Sequence, residues 1–289
     1  MKGIILAGGE GTRLRPITIA TGKQLLPVYD KPMVYYPLST LIHAGVTDIL
    51  IVTTPRDLSR FQELFGDGAQ FGVKIKVIEQ PHPGGIPQGI TLAADFLGSD
   101  PFWFILGDNL FHGPEFGAKL REYAATKEPT VFAYRVKDSS AYGVAVFEPG
   151  TDKVVELVEK PSSPISPWAI PGIYFFTNSA VGIAKELTAS ARGELEILDV
   201  LRSYLNLGTL NVRKVSRGNA WFDLGTAENM LKASVFVESL QNRQGLLVGS
   251  PEEASFTAGN ITKSDLETGL SKIASSDYVK QLLNAISII

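Results

Sequence analysis

The stretch Gly3-Ile4-Ile5-Leu6-Ala7-Gly8-Gly9-Glu10-Gly11-Thr12-Arg13-Leu14-Arg15-Pro16 decides how this chain is read. Its apolar, β-branched start predicts a buried strand, which ends abruptly in a glycine cluster followed by two arginines. Glycine has no Cβ, so backbone N–H groups there can approach phosphate oxygens closely, and Arg13 and Arg15 add charge-assisted donors at the same place. A strand that empties into a cationic glycine loop predicts a nucleotide-phosphate site. The plainer alternative is a strand-to-helix turn that binds nothing. The common phosphate loops fit badly: Leu14 stands where the dinucleotide fingerprint needs its third glycine, and Gly22-Lys23-Gln24 lacks the hydroxyl of a P-loop. What remains is a loop that reads phosphates through backbone amides, Arg13 and Lys23.

Outward from this loop, strand-like and helix-like segments alternate. Residues 3–7, 48–53, 74–78, 102–106 and 130–135 read as strands; 33–44, 58–64, 90–97 and 115–126 read as helices. That alternation predicts an α/β fold, a mainly parallel Rossmann-like sheet flanked by helices. Ligands of such sheets bind beyond the carboxyl ends of the strands, where strand order reverses. The glycine loop and Gly107-Asp108-Asn109 both lie just past such ends, which predicts one shared cleft. Short strands at 143–148, 154–159 and 169–176, joined by proline-rich connections, are expected to wall one side of it. Helices at 179–186 and 195–207 and a strand at 210–215 follow. We divide the chain into an α/β core that includes these wall strands, 1–225, and a helical C-terminal extension, 226–289, suited to subunit contacts.

The chain has 289 residues, 44% of them hydrophobic, enough for one large core plus a smaller appendage. A net charge of −3 and a pI near 5.7 argue against general affinity for nucleic acid or anionic membranes, so positive charge for a phosphate ligand must be local. With no cysteine, disulfides, thiolate zinc sites and cysteine nucleophiles are excluded. The first apolar segment is broken by glycines too early for a signal peptide, and no later run approaches the roughly 20 apolar residues of a membrane span. A soluble, cytoplasmic protein is expected.

Two aspartates sit at the mouths of apolar runs, Asp108 after Phe102-Trp103-Phe104-Ile105-Leu106-Gly107 and Asp223 within Ala220-Trp221-Phe222-Asp223-Leu224-Gly225-Thr226. Each reads as an exposed loop residue, a turn or helix cap or else a magnesium ligand. Together with the cationic loop they favour a magnesium site for a nucleoside triphosphate, since this ion needs only one or two protein carboxylates. Thr226 is placed to cap the helix that follows. Glu159-Lys160-Pro161 ends a strand, so its charges face either the cleft or solvent. His43, His82 and His112 show no ligand or triad spacing and read as structural or surface residues.

The constellation as a whole resembles the sugar-phosphate nucleotidyltransferases. The resemblance rests, in order, on Leu6-Ala7-Gly8-Gly9 with Gly11-Thr12-Arg13-Leu14, Lys23-Gln24-Leu25-Leu26-Pro27, Tyr29-Asp30-Lys31-Pro32-Met33, Leu106-Gly107-Asp108-Asn109, Glu159-Lys160-Pro161, Ala191-Arg192-Gly193-Glu194 and the Trp221–Thr226 block. It covers nearly the whole chain. It implies that dTTP and glucose 1-phosphate react to dTDP-glucose and pyrophosphate with magnesium, in a homotetramer serving deoxysugar synthesis. By the same resemblance Gly8, Gly9, Gly11, Thr12, Arg13 and Lys23 hold the triphosphate, Gln80 and Gly85 contact the thymine edge, and Asp108 and Asp223 hold the metal. Tyr142, Gly143, Glu159, Lys160 and Ile170 surround the sugar phosphate. Arg217 and Glu253 match a second, regulatory nucleotide site, where Thr257 replaces an arginine of the family pattern. The chain also departs from that pattern at Gly143-Val144-Ala145-Val146-Phe147, at Ile86-Pro87-Gln88-Gly89 and at Leu224. Alternatives within and beyond the class are a preference for UTP or another sugar, a catalytically silent regulatory paralogue and, more distantly, a dinucleotide-dependent oxidoreductase.

Overall fold

The structure, a computed structural model, describes residues 1–190, 193–270 and 276–288. Ala191 and Arg192, from the Ala-Arg-Gly-Glu motif, lie outside the described residues. The strands are β1 (Lys2–Ala7), β2 (Pro27–Val28), β3 (Lys31–Pro32), β4 (Asp48–Thr53), β5 (Lys74–Glu79), β6 (Phe102–Leu106), β7 (Asn109–His112), β8 (Thr130–Arg135), β9 (Gly143–Phe147), β10 (Val154–Glu159), β11 (Trp168–Ala169), β12 (Ile173–Phe176), β13 (Asn211–Lys214) and β14 (Ala220–Asp223). The main sheet runs β10-β9-β11-β8-β12-β6-β1-β4-β5, with β13 also on β8. Its β6-β1-β4-β5 portion is parallel throughout. From β12 outward to β10 the pairing is antiparallel, so the sheet is parallel where the glycine loop emerges and antiparallel on the predicted sugar side.

Strand β1 shows why the first stretch decides the architecture. Ile5 and Ala7 join one hydrophobic cluster with Leu38, Leu41, Phe61, Phe65 and Leu120, and Ile4 joins the other with Ile90, Leu97, Leu198 and Leu201. Successive side chains of a strand point to opposite faces, so helices must cover both. Helices Tyr35–His43, Leu58–Phe65 and Phe116–Ala125 cover the first face; Ile86–Leu92, Ser179–Glu186 and Ile197–Asn206 cover the second. Neither Tyr35–His43 nor Leu58–Phe65 has a side-chain N-cap, so burial at about 1.5–3 kcal/mol per large side chain holds them.

Three segments differ from the sequence reading. The strand expected over 169–176 is two, β11 and β12, interrupted at Pro171-Gly172, where Gly172 packs against Leu106 too closely for a Cβ. The helix expected from residue 90 begins at Ile86, with Pro87 in its first turn where a missing N–H costs nothing, and it breaks at Ala93. The antiparallel pair of β7 and β14 joins segments far apart in the chain, and local pattern does not show such a pairing.

Beyond residue 226 the chain is helical: Ala227–Gln244, Pro251–Thr257, Lys263–Leu270 and Asp277–Ile288. Thr226 caps the first through its Oγ1, which accepts the Asn229 N–H at 3.2 Å. The buried Lys31 of the Tyr29–Met33 motif pairs with Asp30 and donates to Gln241 Oε1 at 3.1 Å, which ties the β2–β3 hairpin to that helix. No described helix is long and apolar enough to cross a membrane.

Candidate active site

β1 and β6 are neighbours in register, Leu6 beside Leu106, and the chain leaves both at the same level. Strand order also reverses here, because β4 and β5 build outward on one side of β1 while β6 returns to the other. Past β1 the loop turns at Gly11, in the left-handed region at φ 63, where a Cβ would stand 3.0 Å from Thr18 and 3.1 Å from Lys23. Past β6, Asp108 follows Gly107, whose N–H reaches the Leu6 carbonyl at 2.8 Å.

The β7–β14 ladder brings Asp223 to this point by setting it opposite Asn109, and the Leu224 N–H binds the Asp108 carbonyl at 2.9 Å. Asn109 is the hub: its Nδ2 donates to Asp108 Oδ1 at 3.0 Å, and its Oδ1 accepts from Gly172 N–H at 3.0 Å and from the Trp221 indole at 2.6 Å. Asn109 and Trp221 stand inside the sequence motifs with no task that their residue types alone assign. The available signal was the two-residue spacing of Trp221 and Asp223, which puts both on one face of a short strand.

Lys23 is only 8% exposed, and its ammonium pairs with Asp108. Burial opposes ionisation of Asp108, but the Lys23 charge and the hydrogen bonds outweigh it and hold the carboxyl below the usual range. Asp223 is pushed the other way, first by burial and then by the nearby Asp108 charge, against the pull of Lys23 and Arg13. Neither aspartate is the exposed loop residue that its sequence position suggested: both are half-buried in the lining of the cleft, Asp223 at the end of β14. A carboxylate whose charge is opposed by a neighbouring carboxylate in the same cavity suits a divalent cation. No described group of three or more His, Cys, Asp or Glu could hold a metal, so the pair fits an ion that takes its other ligands from phosphate and water. The Arg13 guanidinium lies over Gly225, where a Cβ would be 2.8 Å from Nη2.

One cavity of about 470 Å³ is lined by Arg13, Asp108, Tyr142, Gly143, Glu159, Lys160, Ile170 and Asp223, with Trp221 and the segment 194–198 completing the wall. The residues expected around the sugar phosphate are thus brought together with Asp108 and Asp223. β9 and β10 set Gly143 opposite Glu159, Ile170 N–H binds the Gly143 carbonyl at 2.8 Å, and Lys160 N–H binds the Tyr142 carbonyl at 3.1 Å. The Glu159 carboxylate and the Lys160 ammonium are 3.4 Å apart, and the Tyr142 ring packs on Trp221 at 5.0 Å between centroids.

Gly8 and Gln80 line a second cavity, of about 600 Å³, with Glu10, Arg15, Thr54, Arg56 and His82. A Cβ at Gly8 would lie 1.8 Å from Gln80 Oε1, so the first glycine of the loop is there to admit this amide. Gln80 Nε2 donates to Gln88 Oε1 at 2.7 Å. Gly85, at φ 96, presses against Leu195, whose carbonyl oxygen would be 2.2 Å from a Cβ; this contact ties the predicted base loop to the sugar wall. Gly9 and Thr12 lie in the same loop but line neither cavity. Arg217 is exposed on the turn before β14, and Thr257 is exposed at the end of its helix. The Glu253 carboxylate accepts the Leu247 N–H at 3.1 Å, and burial pushes its pKa up to about 7. Among the described residues no hydrogen bond or ion pair joins Arg217 to Glu253.

Comparison with known proteins agrees with this geometry. The family profile described as nucleotidyl transferase matches residues 2–239. A glucose-1-phosphate thymidylyltransferase of Mycolicibacterium smegmatis is 50% identical over 283 residues, 98% of each chain. One from Neisseria gonorrhoeae is 48% identical over 287 residues, 99% of each chain. Among solved structures, a Bacillus anthracis protein assigned as a glucose-1-phosphate thymidylyltransferase, in complex with sucrose, superposes with a TM-score of 0.76 at 39% identity, covering 82% of this chain and 94% of that one. A UDP-glucose pyrophosphorylase complexed with UDP-glucose shares the fold, with a TM-score of 0.73 at 24% identity over 83% of this chain and 98% of that one. Over nearly its whole length, then, the chain belongs to the nucleotidyl transferase family, among the glucose-1-phosphate thymidylyltransferases.

Proposed function

We propose that this protein joins dTTP and glucose 1-phosphate to dTDP-glucose and diphosphate. The observation that carries the reading is the convergence of Arg13, Asp108 and Asp223, with Lys23 paired to Asp108 behind them, on a cavity also lined by Tyr142, Gly143, Glu159, Lys160 and Ile170. Glu159 takes sugar hydroxyls and Lys160 the phosphate of glucose 1-phosphate. The loop Gly8, Gly9, Gly11 and Thr12 presents backbone N–H groups to the triphosphate, while Arg13 and Lys23 neutralise its charge. The sugar phosphate is already anionic near neutral pH, so its oxygen attacks the α-phosphorus without a general base; the new P–O bond forms as the bond to diphosphate breaks. Catalysis is in-line positioning plus charge neutralisation. Magnesium held by Asp108 and Asp223 would supply further neutralisation of the phosphoryl oxygens.

Gln80 presents its carbonyl oxygen at Gly8 while its NH₂ is engaged by Gln88, which suits the N3–H of thymine or uracil and meets the N3 acceptor of cytosine with the wrong polarity. Diphosphate release measured across nucleotides and sugar 1-phosphates should show dTTP used best, UTP less well and CTP hardly at all. Comparable efficiency with CTP would remove Gln80 from base recognition. No diphosphate release with any of them would leave only the silent-paralogue reading.

The proposal extends to a cytoplasmic homotetramer with subunit contacts through residues 226–289, testable by light scattering. It also extends to a regulatory nucleotide site that includes Arg217 and Glu253. There Thr257 offers a hydroxyl where the family pattern has an arginine, and losing a charge-assisted contact to diphosphate costs about 1.5–3 kcal/mol, tenfold or more in affinity. Inhibition by dTDP-rhamnose is therefore expected to be weak and to tighten in Thr257→Arg. Tight inhibition of the unmodified protein, unchanged by the substitution, would sink this part.

A further inference from the structure

The segment between the glycine loop and Lys23, residues 18–22, is held from outside by one loop. Asp57, immediately before helix Leu58–Phe65, is 1% exposed. An aspartate at this position ordinarily caps its own helix, but this side chain makes no capping bond. Its Oδ1 instead accepts the backbone N–H of Gly22 at 3.1 Å and Arg60 Nη1 at 3.2 Å. Its Oδ2 accepts Thr54 Oγ1 at 2.9 Å and Arg56 Nη2 at 3.3 Å. The two arginines use further N–H groups on the same segment: Arg60 reaches the Ala20 carbonyl at 2.9 Å, and Arg56 reaches those of Thr18 and Ile19 at 3.4 and 3.3 Å.

A buried carboxylate is costly to keep unless donors surround it, and here four do. A cap would have needed only one partner on its own helix. Gly22 shows how closely the parts fit. Its backbone, at φ −64 and ψ 142, would admit any residue, yet a Cβ there would stand 2.5 Å from Asp57 Oδ2. Contact with Asp57, rather than backbone strain, demands the glycine. The next residue is Lys23, whose ammonium must reach Asp108 and the phosphates from a buried stem.

We propose that Asp57 is a positioning residue for the reaction: through Gly22 it sets the place of Lys23, with Arg56 and Arg60 as the outer half of the latch. The inference rests on the reading of Lys23 as the cation that meets the phosphates.

Steady-state kinetics on full-length Asp57→Ala, Asp57→Asn, Gly22→Ala and the double variant Asp57→Ala/Gly22→Ala, with dTTP and glucose 1-phosphate, test it. Displacing a charged group by a fraction of an ångström to an ångström predicts a fall in kcat of about 10- to 100-fold for Asp57→Ala, with the KM for glucose 1-phosphate changed less than about twofold. Asp57→Asn, which keeps an oxygen facing Gly22, should recover most of the loss. Gly22→Ala should be slow on its own but cost less than about twofold more when added to Asp57→Ala, because the group it collides with is then gone. A kcat for Asp57→Ala or Gly22→Ala within about twofold of the unmodified protein, or losses that multiply in the double variant, would overturn the latch. If Asp57→Ala does not fold, Asp57→Asn and Gly22→Ala decide the matter, since a purely structural role lowers Tm and leaves kcat of the folded protein alone. Lys23→Ala separates the two readings. Full activity in that variant would remove Lys23 from the chemistry, whereas an undiminished loss from Asp57→Ala in the Lys23→Ala background would show that Asp57 does not act through Lys23.

Discussion

Asp108→Asn and Asp223→Asn are each expected to lower kcat by about 10³- to 10⁴-fold, because several kcal/mol of charge stabilisation at the phosphoryl oxygens goes with the carboxylate pair. Both should also weaken binding of Mn²⁺, used as a probe, in titrations without substrate. Their effects on stability should differ. Asp108 is the counter-charge of a buried lysine, so its replacement leaves the Lys23 ammonium poorly compensated and should lower Tm. Asp223 carries its charge at a cost, from burial and from Asp108. A carboxyl whose folded-state pKa is raised contributes stability below its unfolded pKa, and that contribution is lost as pH rises through the folded value. Asp223→Asn should therefore match the unmodified protein in Tm at low pH and exceed it increasingly as pH rises, in metal-free buffer. Full turnover of either variant at saturating magnesium would remove that residue from the mechanism, and a Tm for Asp223→Asn below that of the unmodified protein at pH 8 would contradict the electrostatic account.

The second large effect belongs to Lys23 and Arg13. If both stabilise charge that builds up at the α-phosphate during attack, Lys23→Ala and Arg13→Ala should depress kcat and kcat/KM together, by about 10²- to 10³-fold. A rise confined to the KM for dTTP would make Lys23 a binding residue. Lys23→Ala carries a further consequence that only the buried ion pair reveals: Asp108 is left without its partner, a change that costs about 3 kcal/mol or more when the remaining charge stays buried. Arg13 is exposed and offsets the Asp223 charge only at a distance, so its replacement should lower Tm much less than that of Lys23. Loss of activity and loss of stability should therefore travel together at Lys23 and separately at Arg13.

The parallel portion of the fold was legible because β1, β4 and β6 are continuous apolar runs with helices between them, a pattern only a sheet covered on both faces requires. The strand ends followed from it, and with them the placing of the glycine loop and Asp108 beside each other. Of the motif residues gathered in the cleft, Arg13 was legible from the glycine loop and Glu159-Lys160 from a strand end whose direction stayed open, whereas Tyr142, Gly143 and Ile170 were named from the resemblance, since nothing in their local spacing requires one cavity.

What the chain determined by itself is therefore the strand-and-helix order and the chemistry on offer: local periodicity and residue type are properties of short segments. What the tertiary structure alone decided is which groups meet and how far they are desolvated. Asp223 reaches Asp108 only because β14 pairs with β7, a strand far from it in the chain. Asp57 leaves its own helix uncapped to hold Gly22. Lys23, an ordinary surface residue by its sequence neighbours, becomes a buried cation because Asp108 is there to compensate it. Each of these depends on a contact between distant segments, and the free energy of a charge is set by what surrounds it in space rather than by what precedes it in the chain.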